Sequence, residues 1–184
     1  MAPTFLLVGM PGLSGAPSWW TLPLIAVYLL SALGNGTILW INALQPALHR
    51  PMHFFLFLLS VSDIGLVTAL MPTLLGIALA GAHTVPASAC LLQMVFIHVF
   101  SVMESSVLLA MSIDRALAIC RPLHYPALLT NGVISKISLA ISFRCLGLHL
   151  PLPFLLAYMP YCRPQVLTHS YCLHPDVARL ACPE

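Results

Sequence analysis

The feature that most constrains this chain is the absence of charge over very long stretches. From Met1 to His49 there is no Asp, Glu, Lys or Arg, and Ile64 to Met103 is equally bare. Only 7% of residues are charged while 60% are hydrophobic, against roughly 25% charged in soluble domains. Such a sequence cannot cover itself with a water-facing surface. It has to be solvated by lipid, where about 20 mostly apolar residues span the hydrocarbon as a helix.

Four helical spans are predicted, at about 19–44, 52–80, 87–119 and 133–159, and the fold class is all-α integral membrane. Pro23, Gly34, Pro72, Pro151 and Pro153 fall inside them. They do not veto helices, because neighbouring helices can satisfy the backbone groups that proline frees. The regular alternation of a membrane barrel is absent. A cleavable signal peptide is not expected, since no basic segment precedes a first apolar run that is itself too long.

Basic residues set the expected orientation. Arg50 lies between spans one and two, and Arg115, Arg121 and Lys136 lie between or beside spans three and four. The loop "GAHTVPAS" between spans two and three has none. In the tail, Arg163 and Arg179 are offset by Asp176 and Glu184. The positive-inside rule then puts both the N-terminus and the tail outside. A net charge of +2 gives no case for nucleic-acid binding, so membrane lipid is the expected surrounding.

Cys90, Cys162, Cys172 and Cys182 fall on that outer side, with Cys120 at the inner surface and Cys145 within the membrane. An oxidising lumen pairs such cysteines, and four of them allow three connectivities. The alternative is a zinc site built from "THSYCLH", with His169, Cys172 and His174. No paired Asp, Ser–His or HExxH arrangement of an intramembrane protease is present, so the chain is not read as an enzyme.

The stretch "MSIDRALAICRPLHY", Met111 to Tyr125, ends the third span with adjacent opposite charges, Asp114 and Arg115. Taken alone it is a helix stop at the membrane surface. It resembles, however, the third-helix signature MAxDRYxAICxPLxY of olfactory receptors. "LHRPMHFFLFLLSVSD", Leu48 to Asp63, is similar to their LHxPMYxFLxxLSxxD, and Gly34-Asn35 matches their first-helix pair. "TFLLVGMPGL", "HVFSVMESSVLLAMSIDR", "LPLPFLLAYMPYC" and "SYCLHPDVARLAC" look like the fish-like, class I subgroup. The matches keep their order across the chain. Ala116 stands where the family has the Tyr of Asp-Arg-Tyr, and His53 replaces the Tyr of PMYxF. The only glycosylation sequon, "NGT" at Asn35, lies within the membrane.

The resemblance implies a rhodopsin-like, seven-helix G-protein-coupled receptor for small odorants, signalling through a stimulatory G protein. Residues 1–184 correspond to a partial receptor domain of four helices and an outer loop, 160–184. The expected location is the plasma membrane, as a multi-pass protein; without helices five to seven, signalling is expected to be impaired and the chain to associate with other chains or be retained in the endoplasmic reticulum. A non-signalling fragment, or a small channel- or transporter-like protein, is the alternative. Asp114 and Arg115 would form the G-protein-facing motif. The resemblance pairs Cys90 with Cys172, which leaves Cys162 and Cys182 to close the loop on itself.

Two intramembrane carboxylates, Asp63 and Glu104, are expensive at their depth and need a partner or a wet cavity. The family's aspartate at the Asp63 position binds sodium, and Glu104 with Asn35 could share that ion. An ion pair between Glu104 and Arg144 is the competing arrangement, and no other cofactor or metal is expected. His98, two turns below Cys90, could line an odorant pocket with Val102, Leu152, Leu173 and His174. Imidazole suits short carboxylic acids, the ligands common in the class I subgroup; the alternative is a His bonded to a neighbouring helix. Cys120 is either a palmitoylation site or a plain interfacial thiol.

The orientation is directly checkable. A glycosylation sequon appended after Glu184 is expected to be modified, and one inserted between Pro126 and Asn131 to stay bare. The opposite pattern would overturn the topology.

Overall fold

The structure is a computed structural model, and it describes residues 4–8, 19, 21–44, 51–161 and 166–182. In chain order the elements are β1 (Thr4–Leu7), α1 (Thr21–Leu44), α2 (Pro51–Ala80), β2 (Thr84–Pro86), α3 (Ala87–Cys120), α4 (Tyr125–Leu128), α5 (Asn131–His149), α6 (Pro151–Tyr158), β3 (Val166–Leu167) and α7 (His174–Ala178). Four helical runs among them are long and apolar enough to cross a membrane: α1, α2, α3, and α5 continued by α6. The chain is an integral membrane protein built mainly of helices.

The fourth span is one run broken in name only. Leu150 keeps helical angles, φ −64° and ψ −41°, between α5 and Pro151. Pro151 has no N–H to offer the Gly147 carbonyl, so one rung of the hydrogen-bond ladder is missing there while the backbone keeps its helical course. The run starts at Asn131, two residues before the apolar pattern suggests. Thr130 causes this by capping the end, its hydroxyl accepting from the Val133 N–H at 3.4 Å.

α3 is the axis of the bundle, packing on α2, α5, α6 and two strands, while α1 leans on α2 alone among the larger contacts. Two cores are strung along α3. The inner one gathers Phe55, Val99, Met103, Val107, Ile134 and Cys145 from α2, α3 and α5. The outer one includes Phe5, Leu7, Ile77, Met94, Leu156, Leu167 and Val177, so it draws on strands and loop as well as helices.

A three-stranded sheet at that end, in the order β2-β1-β3, is a feature that hydropathy does not reveal. β1 runs antiparallel to β2, with Phe5 opposite Val85, and parallel to β3, with Leu6 opposite Val166. The segment TFLL alternates as strands do: Phe5 and Leu7 are fully buried while Leu6 faces out. Phe5 meets Tyr161 edge-on, with ring centroids 5.4 Å apart. Gly81, at φ +59°, makes the turn that brings the His83 carbonyl to the Leu7 N–H at 2.7 Å.

Mid-membrane, α2 and α3 approach closely at Gly65. A β-carbon there would lie 2.4 Å from the Phe100 ring. Gly65→Val is therefore expected to destabilise the bundle by about 1–3 kcal/mol, the usual range for overpacking. Thermal unfolding in detergent would measure it, and adding Phe100→Leu should recover most of the loss.

Candidate functional site

The outer loop is tied to the bundle covalently. Cys90, at the start of α3, is bonded to Cys172 across 82 residues of sequence. That bond uses the sulfur a zinc site would need, and no group of three or more His, Cys, Asp or Glu among the described residues could hold a metal. Cys172 is thus not available as the thiolate ligand of the zinc alternative. Cys182 is also disulfide-bonded, while Cys162 lies outside the described residues, as do Arg50, Arg163 and Glu184. Cys120 is free and exposed, and Cys145 is free and buried.

Gln93, almost fully buried one turn below Cys90, reinforces the bridge. Its amide nitrogen donates to the Ala69 carbonyl and the Thr73 hydroxyl, both at 2.9 Å. Its oxygen accepts from the Cys172 N–H at 3.2 Å. One side chain thereby joins α2, α3 and the loop. Further out, Asp176 of α7 accepts from the Thr168 hydroxyl at 3.0 Å and pairs with His169. Tyr161 donates its hydroxyl to the Leu156 carbonyl at 2.7 Å, and burial pushes its phenol pKa up.

Beneath this cover lies His98. Its Nε2 is buried and has no hydrogen-bond partner. The ring is flanked by His149 from α5, centroids 6.1 Å apart, and by His174 from α7, 6.2 Å away. The His149 ring also contacts the Cys145 carbonyl at 3.0 Å. Of the five expected pocket residues, His98 and His174 meet directly. Leu152 and His174 instead line an open groove of about 590 Å³ with Leu155, Leu156, Met159 and Ala178. Neither His98 nor Val102 borders that groove. Val102 is half-buried and packs beside the inner core, and Leu173 precedes α7 as its N-cap.

At mid-depth, Glu104 of α3 lies within electrostatic range of Asp63 of α2. Asn35 of α1 reaches Asp63 with its side chain and also donates to the Ser31 carbonyl at 3.1 Å. The Glu104–Arg144 pair does not form. The ion pairs among the described residues are Arg115–Asp114 and His169–Asp176, and Arg144 sits on an exposed face of α5.

At the other end of α3, Asp114 is buried and accepts from the Tyr125 hydroxyl at 2.7 Å. Arg115 lies 3.9 Å from the same carboxylate, with 55% of its side chain exposed. Pro122 follows the end of α3, and Tyr125 at the start of α4 folds back onto Asp114. A basic group is thus presented outward while its acidic neighbour is held in place from the other side.

The olfactory receptor family model matches residues 24–184. The chain belongs to the olfactory receptor family. It is 99% identical over 184 residues to human olfactory receptor 51S1, covering all of this chain and 57% of that protein. It is 50% identical over 179 residues to human olfactory receptor 51A4 and 51% identical over 179 residues to human olfactory receptor 51A2, covering 97% of this chain and 57% of each relative. This olfactory receptor chain therefore spans rather more than half the length of the curated relatives it matches.

Three contributors escaped sequence reasoning. Gln93 is a lone amide one turn from Cys90 in an apolar helix, a polar intrusion that itself signals a buried hydrogen-bond partner. Tyr125 lay inside the quoted third-helix stretch without a role. His149 had no signal, since only folding brings it beside His98. Gln93→Leu strands the Cys172 N–H and the Thr73 hydroxyl, and is expected to cost about 1–3 kcal/mol. Hydrogen exchange at Cys172 should quicken with the bridge intact; unchanged protection would refute the coupling.

Proposed function

We propose that this chain supplies the odorant-capturing and G-protein-facing portion of a plasma-membrane odorant receptor, acting by ligand-gated signalling and not as an enzyme. The observation that carries the ligand half is the buried, unpartnered Nε2 of His98 between two further imidazoles. A buried polar atom without a partner is costly, and a small ligand offering a hydrogen-bonding oxygen would satisfy it. Short-chain carboxylic acids fit this description: one end bonds to imidazole, and the alkyl tail packs against Val102, one turn along α3, or runs past His174 into the adjoining groove that Leu152 lines. Leu173 and His174 would close the site from the loop.

The signalling half rests on Asp114 and Arg115. Tyr125 and Arg115 hold the Asp114 carboxylate from two sides, which leaves the guanidinium exposed for the stimulatory G protein. Asp63 and Glu104 bring carboxylate oxygens together from α2 and α3, the Asn35 amide of α1 donates to Asp63, and no basic side chain among the described residues pairs with either acid, an arrangement that suits a hard cation. A sodium ion held there would neutralise the two carboxylates and couple α1, α2 and α3.

Residues 1–184 expressed alone are expected to give no acid-dependent cAMP rise. Co-expressed with a second chain carrying the remaining length of human olfactory receptor 51S1, they should respond to short-chain carboxylic acids. His98→Ala should then lower sensitivity by roughly tenfold or more, as loss of a hydrogen bond to a charged group implies, and Arg115→Ala should abolish the response. An acid response indifferent to His98→Ala would refute the ligand assignment, and one indifferent to Arg115→Ala the signalling role.

A further inference from the structure

Arg144 is the fourteenth of the 28 residues in the span Asn131–Tyr158, so at 1.5 Å per residue it stands about 20 Å from either end. It is exposed. Among the described residues it makes no hydrogen bond or ion pair. About a quarter-turn round α5 from Arg144, Ile134 and Cys145 pack into the inner core, so the guanidinium side is turned away from the bundle. An arginine at mid-membrane normally pairs or lines a wet cavity, and this one does neither within the described fold.

Its surroundings define what can reach it. Ala140 lies one turn before and Gly147 one turn after on the same face, both exposed. A β-carbon built on Gly147 would meet nothing within 4 Å. Phe143 and Leu148, 82% and 58% exposed, stand on either side. Small residues let another helix backbone approach closely, and interhelical polar contacts then hold it. A lipid headgroup is a poor occupant, because the charge lies near the bilayer centre and far from both interfaces.

We propose that the outward face of α5, centred on Arg144 with Ala140 and Gly147, is a docking surface for a transmembrane helix that carries a carboxylate at mid-depth. The carboxylate supplies the opposite charge and accepts guanidinium hydrogen bonds. The small residues set the separation of the two backbones. This surface is distinct from the odorant site and does not depend on it.

The test uses the 184-residue chain in lipid bicelles with a Leu/Ala model helix bearing a single Glu at its midpoint, association being followed by energy transfer. The Glu helix should bind about tenfold more tightly than its Gln counterpart, the scale expected for a polar contact in lipid. Arg144→Leu should abolish that preference, Arg144→Lys should keep part of it, and Gly147→Ile should weaken binding by blocking approach. Mass mapping of the Cys90–Cys172 bridge verifies folding of every variant. Equal binding of the Glu and Gln helices, a preference that survives Arg144→Leu, or self-association of the chain that excludes the Glu helix would each overturn the proposal.

Discussion

Everything at the outer end of this molecule depends on the bond between Cys90 and Cys172. It pins a loop 82 residues downstream to the first turn of α3, and a constraint of this kind contributes about 2–4 kcal/mol. Once Cys172 is there, its N–H falls within reach of Gln93, and Gln93 is in turn held by α2. β3 and α7 follow on either side of the bridge. β1 can then be sandwiched between β2 and β3, with Phe5 and Leu7 sealed inside. The histidine site inherits its cover from this chain of consequences, because His174 lies only two residues beyond Cys172.

Lipid divides the problem differently from water. Inside the span region, burying apolar surface between helices yields little, because the tails are as apolar as leucine; close packing and polar contacts decide the association. The contact at Gly65 and the amide bonds of Gln93 are therefore more telling about this bundle than its many leucines. The same reasoning makes the intramembrane charges informative. Asp63 and Glu104 converge between α2 and α3, whereas Arg144 is turned away from both. The bundle keeps its acidic groups in and its one mid-span guanidinium out.

The two ends of α3 do opposite work with similar means. At one end a covalent bond and an amide fix the loop over His98. At the other a tyrosine hydroxyl and an arginine share the Asp114 carboxylate. Each end combines one buried polar group with one exposed or ligand-ready group. A single 34-residue helix joins the ligand-facing and G-protein-facing portions proposed for this olfactory receptor chain.

The sequence by itself determined the number of membrane spans and the identity of the family. Both are written in long uncharged runs and in contiguous motifs such as "MSIDRALAICRPLHY", where neighbours in sequence carry the information. It also made Asp63, Glu104 and His98 conspicuous, since ionisable groups are rare at such depth. Tertiary structure alone decided which of them meet. The outer sheet uses strands of only two to four residues, too short for a periodic signal, and exists because the disulfide gathers them. Arg144 could have faced Glu104 by depth alone, but depth along a helix does not fix azimuth. The packing of Ile134 and Cys145 against α3 turned the guanidinium outward instead. For the same reason His149 joined His98 unannounced: pairing across helices depends on rotation and register, which hydropathy and spacing in one chain do not record.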